Sequence, residues 1–167
     1  MLDLWRTGAM AQDTMRLIFA RNSNDDWRGY ARIFRFVKDH QTHLTGLNIP
    51  SSVTTAVSLG GLQSLPPEVR ETLPPLPGAL DPDYKEFLRS MVGILATNSK
   101  QFDNYCLSQQ VWDTSMAQNA LTFLKERNLK RLVLFLGVIP AWKKTVPAQA
   151  ALLNSKKRQK VVLQHVP

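Results

Sequence analysis

Tyr105-Cys-Leu-Ser-Gln-Gln-Val-Trp-Asp-Thr-Ser-Met-Ala117, continued through Phe123 into Arg131-Leu-Val-Leu-Phe-Leu-Gly137, is the stretch whose periodicity decides the fold. At about 100° per residue, Phe102, Tyr105, Trp112, Met116, Ala120 and Phe123 share one narrow helical sector. Gln109 and Asp113 fall in the middle of that sector. Burying an unpaired amide costs on the order of 1 to 3 kcal/mol, and a lone charge costs more. The spacing therefore predicts a helix over about 100–127 that meets something polar. Asp113 can bridge a neighbouring element with Gln109 paired to it, or the two can belong to a working site.

Outward from that helix, Asn128 reads as its stop, and Leu129 to Gly137 as a strand. An apolar run without alternation predicts a strand covered on both faces, as in a parallel sheet. Asp81-Pro82-Asp83 combines an N-cap with proline at the first helical position. It opens a helix expected to run through about Ala96, packing through Tyr84, Phe87, Leu88, Met91, Ile94 and Leu95. Between Leu62 and Pro82 prolines stiffen the chain, and Leu73-Pro-Pro-Leu-Pro77 suits either a connection wrapped on the domain or an SH3-type ligand. Further upstream, residues 2–20 read as a helix weakened by Gly8. Asn22 to Asp25 form a stop and cap, and a second helix runs to about His40. Thr42 to Pro50 reads as a core strand, and Ser51 or Ser52 caps a short helix ended by Gly60-Gly61. Near the C-terminus, 147–155 suits a short helix and Val161-Val-Leu163 a closing strand or tail.

A length of 167 residues fits a single domain over 1–167, and 44% hydrophobic with 20% charged residues is a globular composition. The net charge of +8 gathers in two places. Arg28, Arg32, Arg35 and Lys38 recur opposite Trp27, Tyr30, Phe34 and Val37, an amphipathic helix with a basic outer face. Lys156-Lys157-Arg158-Gln159-Lys160 lies in a basic tail over about 155–167. No nucleic-acid module accompanies these charges, so nucleic acid is not an expected partner; solvated faces are the favoured reading, with an anionic membrane surface as another acceptor. Cys106 alone makes no intramolecular disulfide and reads as a small buried apolar group. No apolar run reaches the roughly 18 to 20 residues of a membrane span, and the N-terminus does not read as a signal peptide. The compartment is left unassigned. Of the three histidines, His40 and His43 straddle a helix end and do not share one helical face. An imidazole close to the last helical carbonyls accounts for such a placement, while His43 is the first candidate histidine for a ligating role.

The order Gln109-x-x-Trp112-Asp113-x-x-Met116-Ala117, followed by a turn and an apolar strand ending in Gly137, resembles the haem-binding uptake proteins of the ChaN type, in the Tiki superfamily. The resemblance continues through Trp27-x-x-Tyr30, Leu47-Asn48-Ile49-Pro50, Gly61-Leu62-x-x-Leu65 and Leu73-Pro74, and covers about Trp27 to Leu153. Two family features are missing: a first strand with Gly-Glu-x-x-His, and a histidine shortly after Gly137, where Val138-Ile139-Pro140 stands instead. The resemblance thus implies the helical and C-terminal portion of an incomplete family domain. Its expected fold is α/β and helix-rich, with a few-stranded, mostly parallel sheet and a helical insert. The function it implies is non-catalytic binding of haem or a similar planar ligand, with Tyr105, Gln109, Asp113, Met116 and His43 as the residues to hold it. Two alternatives stay open: an interaction scaffold that keeps the packing half of the domain, and a metal-dependent hydrolase akin to the superfamily's Tiki metalloproteases or erythromycin esterases. An incomplete sheet further predicts an apolar edge at 131–136 that favours homo-oligomers.

Overall fold

The computed structural model describes residues 1–23, 25–93, 98–136 and 160–165. Seven α-helices and two strands occur in them: α1 Leu2–Arg6, α2 Gln12–Asn22, α3 Trp27–Asp39, α4 Ser51–Gly60, α5 Pro67–Arg70, α6 Pro82–Val92, α7 Ser99–Glu126, β1 Arg131–Leu136 and β2 Lys160–His165. A 3₁₀ turn, Leu62–Ser64, follows α4. The chain forms two compact units, Met1–Gly46 and Leu47–Pro167.

In the N-terminal unit the single helix expected over 2–20 is two. Gly8 adopts φ +79°, a left-handed conformation that only glycine takes without strain, and the chain breaks there. Trp5, Met10, Met15 and Val37 form the core, with Trp27, Phe34 and Leu44 packed on it. Trp5 Nε1 donates to the Phe34 carbonyl at 2.9 Å, so the buried indole is satisfied. Asp26, one residue beyond the expected cap, accepts from the Arg28 N–H and starts α3. His40 closes α3, with Nδ1 3.0 Å from the Phe36 carbonyl. Lys38 leaves the basic outer face: it is half-buried, with Nζ 4.8 Å from the centroid of the Trp5 ring. Thr42 to Pro50 is not a strand. No described segment pairs with it, and Leu44 and Leu47 spend their side chains on the helical clusters.

The C-terminal unit is organised on α7. Val57 of α4 and Val111 of α7 are fully buried against each other with Leu65. Leu73 and Leu76 pack on the same cluster. The Gln110 amide donates to the carbonyls of Pro77 and Gly78. The proline-rich segment thus faces inward as a connection wrapped on the domain. Asp81 caps α6 as expected, accepting from the N–H groups of Asp83 (2.9 Å) and Tyr84 (3.1 Å). Gly93, at φ +53°, closes that helix. Met91 is exposed and not on the packing face; Ile94 and Leu95 lie outside the described residues. α7 ends in a Schellman arrangement, with Asn128 at φ +50°, its N–H bonded to Lys125 O and the Leu129 N–H to Leu124 O.

The strand differs most from expectation. Leu134 is buried with Ala120 of α7 and Leu132 packs beside it, whereas Val133 (49%) and Phe135 (39%) are exposed. β1 is therefore covered on one face, because alternate side chains of a strand face opposite ways and α7 supplies a single cover. β2 pairs with it in parallel, Arg131 opposite Lys160 through Leu136 opposite His165, and includes the expected Val161 to Leu163. The described chain is helix-rich, as expected; a two-stranded ribbon on one long helix is not the doubly covered α/β sheet. The helix expected over 147–155 lies outside the described residues.

Candidate functional site

Between Ser108 and Ala117, α7 is buried at every position except the half-buried Trp112. Six of these residues are polar: Ser108, Gln109, Gln110, Asp113, Thr114 and Ser115. A helix enclosed on all sides is ordinarily apolar all round. Two of these polar residues, Gln110 and Asp113, bond to segments that enclose the helix. Besides Gln110, Trp112 Nε1 donates to Asn48 Oδ1 at 3.0 Å, and Asn119 Nδ2 donates to the Leu47 carbonyl at 2.8 Å. Ser108 Oγ donates to the Tyr105 carbonyl within its own helix.

Asp113 finds its partner on α6. The Tyr84 hydroxyl donates to Asp113 Oδ2 at 3.0 Å in a fully buried contact, with Tyr84 only 1% exposed. Burial and the neighbouring carboxylate push the Tyr84 phenol well above its ordinary range, so it stays a donor. Gln109, one turn before Asp113, is buried, and its Oε1 has no hydrogen-bond partner among the described residues; the same holds for the Ser115 hydroxyl. Tyr84 had been read only as a packing residue. The signal for its second role was the hydroxyl itself, since a tyrosine on a buried helix face needs a partner.

The remaining candidates are dispersed. Tyr105 is half-buried beside the cluster of Tyr84, Leu88, Phe102 and Cys106. Burial, and then the neighbouring Cys106, raise its phenol above the usual range. Burial likewise pushes the Cys106 thiol up, as befits an apolar filler. Met116 is buried in the same helix. His43 belongs to the N-terminal unit, where Nδ1 lies 3.8 Å from Asp3 Oδ1. Phe102, from the apolar sector of α7, is fully buried under α6, with the Arg89 guanidinium 4.3 Å and the Lys85 ammonium 5.8 Å from its ring centroid. A separate cavity of about 730 Å³ borders Gln118, Leu121, Thr122 and Lys125. Its described lining contains none of the expected ligand residues. Among the described residues no three His, Cys, Asp or Glu side chains gather as a metal site, and no helix is long and apolar enough to cross a membrane.

The family model described as haem-binding uptake, Tiki superfamily, ChaN, matches residues 1–139, and the chain belongs to that family. No curated protein and no solved structure matches it. The match starts at the first residue and takes in α1 to α3, so it covers the N-terminal part of the chain and not a C-terminal portion beginning near Trp27.

Proposed function

We propose that this chain is a non-catalytic haem-binding domain whose site is built on α7. The observation that carries the reading is membership of the haem-binding family over residues 1–139. Haem, when bound, supplies an iron that takes phenolate, thioether or imidazole as an axial ligand. The donor types are present in Tyr105, Met116 and His43, but access separates them. Tyr105 and His43 retain surface, whereas Met116 is 5% exposed and reaches a ligand only after rearrangement. Tyr105 is therefore our ligand of choice, with Gln109 and Asp113 as polar neighbours on the same helix sector. Self-association through the exposed Val133 and Phe135 belongs to the same proposal, and the exposed Arg28, Arg32 and Arg35 suit a peripheral membrane contact.

Titration with haemin tests the reading through the Soret band. The wild-type chain saturates, and Tyr105→Phe weakens binding by about tenfold or more, the loss of roughly 1.4 kcal/mol. Ligation by a phenolate releases a proton that the free Tyr105 holds at neutral pH. Affinity accordingly rises with pH, by up to about tenfold per unit below the phenol pKa. Met116→Leu and His43→Ala serve as the contrasting arms. A wild-type titration indistinguishable from a non-binding control protein removes the proposal.

The scaffold alternative draws support from the number of α7 side chains committed to holding loops. It predicts partner capture that survives Gln109→Ala with Asp113→Ala and is lost when Arg28, Arg32 and Arg35 are neutralised. For the hydrolase alternative, the group beside Asp113 is a phenol that keeps its proton, a poor partner for general base work.

A further inference from the structure

We infer that the ligand site lies between α6 and α7, closed by the Tyr84–Asp113 bond, with Lys85 and Arg89 of α6 as binding residues for a flat apolar molecule that carries carboxylates. The inference rests on the haem-binding reading above and adds a location and a second set of residues. α6 now covers the sector of α7 that the site uses: Tyr84 and Leu88 are buried against Phe102 and Cys106, and Tyr105 sits at the margin of that cluster. A ligand therefore gains the apolar wall by displacing α6.

Three features of the closed arrangement suit it to displacement. Gln109 Oε1 is buried without a hydrogen-bond partner among the described residues, so closure leaves an acceptor unspent in the sector α6 covers. A buried polar tie between the two helices is the bond from Tyr84 Oη to Asp113 Oδ2, which a ligand's entry would have to open. α6 ends at Gly93 in a left-handed conformation, a position that absorbs a backbone change without a Cβ clash.

The chemistry of the ligand follows from the margin of the same surface. Lys85 and Arg89 both lie against the Phe102 ring, with side chains 41% and 42% exposed. Each pairs with a surface carboxylate, Lys85 with Asp103 at 2.7 Å and Arg89 with Glu86 at 3.4 Å. Exposed pairs of this kind contribute little and exchange readily. Two cations beside an aromatic ring recognise an apolar body whose carboxylates reach the surface, and the arginine fork suits a carboxylate in particular.

The test compares haemin with its dimethyl ester, which lacks the free carboxylates, on the full chain. Lys85→Gln with Arg89→Gln is expected to weaken haemin by about tenfold or more and to leave the ester unchanged. Tyr84→Phe removes the tie while keeping the ring, and is expected to raise the haemin association rate severalfold. If both variants bind haemin with wild-type affinity and rate, the α6–α7 location is overturned while the haem-binding reading stands. If the wild-type chain binds neither tetrapyrrole saturably, the reading and the location fall together. Circular dichroism checks the fold of Tyr84→Phe; should it not fold, the exposed double substitution decides alone.

Discussion

α3 and α7 are built on opposite plans. α3 has one apolar side, with Trp27, Phe34 and Val37 turned to the core of its unit, while Arg28, Arg32 and Arg35 are exposed. α7 is enclosed through its centre and still carries a buried amide and a buried carboxylate there. For α3 the pattern along the chain gives most of the structure, Lys38 on Trp5 apart, because water lies on the side of Arg28, Arg32 and Arg35. For α7 the same kind of pattern states a requirement, a partner for Gln109 and Asp113, without naming the partner. Polarity on a surface helix identifies solvent; polarity on an enclosed helix identifies neighbours.

That contrast can be broken at both helices. The largest effect is expected from Phe102→Ala, which empties a fully buried ring position of α7. A loss of about 3 to 5 kcal/mol is the expected result in denaturant unfolding. A loss below about 1 kcal/mol would mean that the α6–α7 contact is not core.

Tyr84→Phe sharpens the comparison next. Removing a buried hydroxyl that donates to a carboxylate is expected to cost about 1.5 to 3 kcal/mol near neutral pH. Its pH dependence carries a definite sign. The folded phenol keeps its proton above the ordinary tyrosine value of 10.0, whereas the unfolded one ionises there. This contribution is complete below the unfolded pKa and falls away as pH rises above it, by up to about 1.4 kcal/mol per unit. Thermal melts between neutral and strongly alkaline pH should therefore fall more steeply for the wild type than for Tyr84→Phe, and parallel curves would contradict the buried pair.

The smallest effect is predicted for α3. Arg32→Gln with Arg35→Gln removes charge from an exposed face and should change stability by no more than about 0.5 kcal/mol. A larger shift would show that the basic face of α3 makes contacts of its own.

Local features were legible before any coordinates. Asp81 with Pro82 marked the start of α6, Asn128 the end of α7, and Gly8 a weak point that proved to be a break. Such signals involve groups a few residues apart, so a short window contains the whole interaction. The burial of Gln109 and Asp113 was legible as well, from their place within an apolar sector. The partner was not, for Tyr84 stands 29 residues from Asp113 and reads like any other aromatic on a packing face. The alternation on β1 was also hidden, since Val133 and Phe135 are as apolar as Leu132 and Leu134. A run of such residues does not say how many of its faces find cover.

The sequence by itself determined where α6 begins and α7 ends, that Arg28, Arg32 and Arg35 of α3 meet water, and that the centre of α7 must be met by polar groups. Only the tertiary structure decided that a phenol from α6 meets Asp113, that loop carbonyls meet Gln110, and that β1 is covered on one face. The physical reason is range. Caps and periodicity are fixed by backbone geometry within a turn or two, whereas the partner of a buried group is chosen by whichever distant segments come together to exclude water from it.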